Sequence, residues 1–183
     1  MVNISMMTFV MAMIAAIGRS FVFLVMVLVL AATGQAFAEN AVTGMRVGAV
    51  QIDDRTGLRL VIETKAPLKA NLLLLQSPYR LVIDMPKTKW DVDKLAPRGN
   101  LQVAPGSAYR FGNPKPEIGR LVIELEKPAA PVRVFALPSA GAGSRFVIDL
   151  LDRGKTAFLV ASSALEKTPN IDLNDAVTDR VVV

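Results

Sequence analysis

The residues in this sequence whose types could do chemistry are arginines and acids set four positions apart: Arg59 with Glu63, Arg80 with Asp84, Arg120 with Glu124, and Arg145 with Asp149. Paired carboxylates can serve as proton donor and as nucleophile or base. Each acid here shares a strand face with an arginine, however, and antiparallel neighbours set opposite charges across from one another. Structural ion pairing is therefore expected, not catalysis. The chain has no His and no Cys, which removes the His-based hydrolytic triads and the usual zinc and copper sites. Asp53-Asp54-Arg55-Thr56-Gly57 lacks the further oxygen ligands of a calcium loop and reads as a hairpin turn. Gly141-Ala142-Gly143-Ser144 has the glycine content of a phosphate cradle but leads into a strand, not a helix, and reads as a loop. No catalytic residue, metal site or cofactor is expected in this chain.

Recognition is the chemistry that remains. Polymers of sugar and peptide are held by aromatic faces and by cations that meet carboxylates. Arg46, Tyr79, Tyr109 and Arg110 lie near expected strand ends and are the candidate substrate-binding residues.

The elements that must position them are strands. Between Val42 and Leu151 apolar and polar residues alternate over short runs broken by Pro and Gly, the period of half-buried β-structure. Leu58, Leu60 and Ile62 fall on one side of a strand, with Arg59, Val61 and Glu63 on the other. The pattern recurs at Leu81, Ile83 and Met85, at Leu121, Ile123 and Leu125, and at Phe146, Ile148 and Leu150. It is also duplicated. Arg46-Val47-Gly48 matches Arg110-Phe111-Gly112, and Arg59 to Glu63 matches Arg120 to Glu124. Pro67 matches Pro128, and Arg80 to Asp84 matches Arg145 to Asp149. Two halves that each present an apolar sheet face must cover one another. The expected fold is all-β, a sandwich of two symmetry-related, roughly four-stranded sheets.

The ends read differently. Arg19, the apolar run from Phe21 to Ala32 and the small residues of Ala36-Phe37-Ala38 have the order of a secretory signal peptide over 1–38. About a dozen apolar residues are too few to cross a bilayer, which takes about 20. A periplasmic protein with no stable membrane anchor is expected. Without that segment the 16 acids face 20 Lys and Arg, a net charge of +4. Such an excess suits an anionic wall polymer, and no basic cluster is long enough to suggest nucleic acid. The expected β domain spans 39–152, followed by a linker over 153–179 in which Lys155 to Lys167 could form a short helix. Arg180-Val181-Val182-Val183 begins a new apolar run, the expected start of a further domain.

Taken in order, these residues resemble the AMIN domain found ahead of the catalytic domain in periplasmic N-acetylmuramoyl-L-alanine amidases and in some secretins. Val42-Thr43-Gly44-Met45-Arg46-Val47-Gly48 resembles the family's opening strand, and Leu58-Arg59-Leu60-Val61-Ile62-Glu63 its second. Tyr79 to Pro86 resembles its arginine-to-acid strand, and Arg110-Phe111-Gly112 and Gly119 to Leu125 its later ones. The resemblance implies two symmetry-related four-stranded sheets, peptidoglycan as partner, division-site proteins as further partners, and a role in targeting an amidase to the septum during wall turnover and daughter-cell separation. The final valines resemble the first strand of the amidase domain, where the family's zinc would sit. The alternative implied by the same resemblance is a docking module of a secretin or pilus-assembly system that accepts a partner strand at a sheet edge.

Overall fold

The computed structural model describes residues 40–138, 143–168 and 171–172. The signal peptide expected over 1–38 and the strand expected from 180 to 183 lie outside the described residues, as do Gly141 and Ala142 of the glycine loop.

Alternation builds the strands. β1 (Asn40–Ile52) and β2 (Arg55–Thr64) form an antiparallel hairpin across Asp53 and Asp54. Both aspartates have positive φ, 47° and 61°. That is the mirror-image turn whose twist matches the strands, and Asp tolerates it better than most residues. β3 (Lys69–Leu75) and β4 (Arg80–Pro86) form a second hairpin. In the connecting stretch, β5 (Thr88–Trp90) runs parallel to β1. β6 (Arg98–Asn100) pairs with β7 (Gly106–Lys115), which forms a hairpin with β8 (Ile118–Leu125). β9 (Ala129–Pro138) and β10 (Ser144–Asp152) form the fourth hairpin.

Two sheets result. The first has the order β5-β1-β2-β10-β9, and the second β3-β4-β8-β7-β6, extended along β3 by the two-residue β11 (Ile171–Asp172). The apolar faces read from the sequence all point into the sandwich: Leu58, Leu60, Ile62, Leu81, Ile83, Met85, Leu121, Ile123, Leu125, Phe146, Ile148 and Leu150 are buried in one core. Each such side chain contributes about 1.5–3 kcal/mol when removed from water.

The sandwich is the expected one, but its halves do not each form a sheet. Every half splits, sending its first hairpin to one sheet and its second to the other, so the central pairs β2·β10 and β4·β8 join the two halves. The corners explain this. The chain passes from β2 to β3 through Pro67, and from β8 to β9 through Pro128, and a residue without an N–H ends the ladder where the chain must change sheets. Both halves are consequently needed to complete either sheet.

The two open sides of the sandwich are closed by different devices. On one, Trp90 stacks on Phe111 with ring centroids 4.1 Å apart and donates its Nε1–H to the Gly112 carbonyl at 3.2 Å. This ties β5 of the first sheet to β7 of the second. On the other, α1 (Lys155–Lys167) packs against the edge strands β3 and β9 through Phe158, Ala161 and Leu165. Ser162 Oγ donates to the Leu74 carbonyl at 3.1 Å. The linker expected from 153 is corrected here. The helix forms over the residues expected, but its spacing of three and four places one apolar stripe on the core, so the folded body runs past Asp152.

Candidate functional site

The outward residues of the two sheets form matching grids. On the first sheet, from β9 across β10 and β2 to β1, the rows read Leu137, Arg145, Glu63 and Gly44; then Phe135, Val147, Val61 and Arg46; then Arg133, Asp149, Arg59 and Gly48. On the second, from β3 across β4 and β8 to β7, they read Leu75, Arg80, Glu124 and Ala108; then Leu73, Val82, Val122 and Arg110; then Asn71, Asp84, Arg120 and Gly112. The residue type agrees everywhere except at Gly44 with Ala108, Phe135 with Leu73, and Arg133 with Asn71. The duplication thus gives the molecule two nearly equal outer faces.

Each face has an inner and an outer ion pair. Arg59 Nε and Nη2 donate to Asp149 at 2.7 and 2.8 Å, and Arg120 donates likewise to Asp84 at 2.6 and 2.7 Å. Such forked pairs fix the plane of the guanidinium. Arg59 also lies 5.7 Å from the centre of the Phe135 ring. Hydrogen bonding to its acid holds each of these two guanidiniums above its ordinary pKa, against the smaller opposing effect of burial. A base raised in this way contributes stability that is fully present below its unfolded value and is lost only as pH climbs through the folded one. Both guanidiniums therefore stay charged across the working pH range.

The outer pairs are Arg46 with Glu63 and, at 2.7 Å, Arg110 with Glu124. The Arg46 and Arg110 side chains are 71% and 50% exposed, so these pairs add about 0–1 kcal/mol to stability and their cations stay open to a ligand. Arg98 of β6 lies directly across from Arg110, a like-charge juxtaposition that raises the positive potential there. Exposed Leu137 and Leu75 stand at equivalent places in the edge strands. An open concavity of about 280 Å³ on the second face is lined by Arg110, Phe111, Gly112, Asn113, Pro114, Arg120 and Val122.

Of the four residues expected to bind, the structure puts Arg46 and Arg110 on equivalent spots of opposite faces. It does not bring the tyrosines to them. Tyr109 alternates with Arg110 and so points inward, against the core and beside Phe111. Tyr79 meets Phe158 edge-on at 5.0 Å between ring centroids. Packing uses both rings, and the candidate site becomes the arginine grid. Sequence reasoning passed over Gly48 and Gly112, although their recurrence two residues after a matched arginine is visible in the duplication.

A separate ion pair responds to acid. Lys65, just after β2, donates to Asp91, just after β5, and this hydrogen bond together with the Lys65 charge holds the Asp91 carboxyl below its usual range. A depressed carboxyl contributes stability that is present above its unfolded pKa and lost as pH falls through the folded one. Asp91→Asn is expected to flatten part of the acid limb of Tm against pH below about pH 4. The change at pH 7 is expected to be small, because both side chains are about half exposed.

Among the described residues, no group of three or more His, Cys, Asp or Glu is placed to hold a metal ion. No helix there is long and apolar enough to cross a membrane. No curated protein matches the chain. The family model described as the AMIN domain matches residues 49–150, from the end of β1 through β10. With that match over more than half its length and a mostly β sandwich to carry it, the chain belongs to the AMIN domain family, a family of cell-envelope targeting modules.

Proposed function

We propose that this domain binds peptidoglycan through the outer faces of its sheets and brings an N-acetylmuramoyl-L-alanine amidase to the division septum. The observation that carries the reading is the pair of exposed arginines, Arg46 and Arg110, repeated on two faces whose charged residues include more arginines than acids. Peptide stems of the wall carry free carboxylates, and a guanidinium fixed beside an acid retains N–H donors for a second carboxylate. Family membership supports envelope association.

Docking through a free strand edge is less favoured. β9 carries Pro131 and Pro138 and is covered on one side by α1, while β3 is extended by β11. Prolines and covering elements are the usual means of blunting an edge.

Pelleting with insoluble peptidoglycan tests wall binding. The protein is expected in the pellet well above a control of equal charge, and Arg46→Glu combined with Arg110→Glu should lower retention at least tenfold. Recovery equal to the control would refute the binding reading. Reading the coding sequence beyond Val183 tests the amidase: a zinc-ligand pattern supports it, and a long β-rich pore domain would replace it with secretin docking.

A further inference from the structure

Glycine inside a strand weakens it, and it persists for one of three reasons: a backbone angle only glycine adopts, a neighbour that leaves no room for a Cβ, or a close approach from outside. Most strand glycines in this protein have the second reason. A Cβ on Gly57 would lie 2.4 Å from the Leu150 carbonyl, on Gly99 2.8 Å from the Tyr109 ring, and on Gly119 2.8 Å from the Thr88 carbonyl, whereas on Gly44 it would meet only the movable end of the Glu63 side chain, at 2.6 Å. Gly106 is likewise crowded by Leu58 and Leu101.

Gly48 and Gly112 have neither internal reason. Nothing lies within 4 Å of a Cβ built on either, and neither has positive φ. They are also the pair related by the duplication, one on each outer face. Each sits directly across from the arginine of an inner ion pair, Gly48 from Arg59 and Gly112 from Arg120. Each also follows by two residues, and so shares a face with, an exposed outer arginine, Arg46 or Arg110. The second of these spots opens into the concavity already described. Bare backbone between two guanidiniums, one of them held rigid by a forked pair, is a seat for a carboxylate on an extended chain.

We propose that the domain carries two equivalent carboxylate seats, floored by Gly48 and Gly112 on opposite faces, and that one molecule thereby grips two peptide stems of the wall. This rests on the wall-binding reading and deepens it, because it fixes the ligand group and the number of sites. The fixed guanidiniums at Arg59 and Arg120 position the carboxylate, and Arg46 and Arg110 close over it from the strand that carries the glycine.

Val at either position tests this, since a β-branched residue suits a strand and there is room for its first carbon. Gly48→Val and Gly112→Val are each expected to leave Tm unchanged or higher. Each should halve the number of soluble muropeptides bound per protein in calorimetric titration, from two to one, and the double variant should lose binding at least tenfold. Amidation of the muropeptide carboxylates should abolish binding to the parent protein. If either Val variant lowers Tm, the corresponding Ala variant replaces it in the titration. Parent binding with one site, Val variants that bind like the parent, or undiminished binding of amidated muropeptides would each overturn the two-seat proposal while leaving wall binding intact. No retention of the parent on peptidoglycan would overturn both.

Discussion

Replacing Arg59 with Met is expected to cost about 3 kcal/mol of folding stability, more than the equivalent replacement of Arg120. Asp149, the partner of Arg59, is completely buried, whereas Asp84, the partner of Arg120, is 16% exposed. Breaking a buried pair by removing one member leaves an uncompensated charge, a loss of about 3–5 kcal/mol. The lower end applies because the Arg59 side chain is 39% exposed and Arg133 lies across from Asp149 on β9. Arg120→Met should cost about 1–3 kcal/mol, since water reaches Asp84 and can replace part of the lost hydrogen bonding. Urea unfolding decides: the midpoint should fall more for Arg59→Met than for Arg120→Met, with the slope unchanged in both. Arg59→Met combined with Asp149→Leu should recover most of the loss, because removing both charges also removes the desolvation cost. Equal losses at the two arginines would show that burial of the acid does not set the strength of these pairs.

Those pairs show how far the sequence alone reaches. Alternation separates Arg59 from Leu60 and Asp149 from Ile148 without ambiguity, because successive side chains leave opposite faces of a strand. The apolar faces, the cross-strand ion pairs, the hairpin at Asp53 and Asp54 and the duplication are all local or periodic signals, and all are present in the fold. The partner of each strand is not a periodic signal. β2 presents the same apolar face whether it pairs with β3 or with β10, and the choice depends on the corners at Pro67 and Pro128 and on burial that only the assembled halves provide. Tyr109 shows a different limit. Its neighbour Arg110 points outward, so parity alone turns Tyr109 inward, and nearness to a strand end was a poorer guide than alternation. Gly48 and Gly112 were half legible: their recurrence is plain in the chain, whereas the empty space over them exists only once the neighbouring strands are in place.

Phe158→Ala is expected to cost about 3–5 kcal/mol, the range for removing a large aromatic side chain from a core. Phe158 is fully buried and meets Tyr79 edge-on, and it is the largest of the three residues through which α1 reaches the core. A 13-residue helix is marginal in water by itself, so its stability comes from that contact. Its other face exposes Leu159 and Val160, which cannot substitute for the buried stripe. Two results of the substitution are physically distinct. If the helix and sandwich unfold together, the urea midpoint falls and the slope is unchanged, and ending the chain after Asp152 should be at least as damaging. If the helix undocks first, helical circular dichroism is lost before β-structure, and the slope of the main transition falls because less surface remains to be exposed. The first is expected, because Phe158 and Leu165 belong to the same core cluster as Leu72 and Leu74 of β3. Under conditions where the variant is still folded, its retention on peptidoglycan should equal that of the parent, since α1 touches the sheet edges and leaves the arginine faces alone. Loss of retention by a folded Phe158→Ala protein would place part of the wall contact on the helix and its exposed Leu159 and Val160 instead.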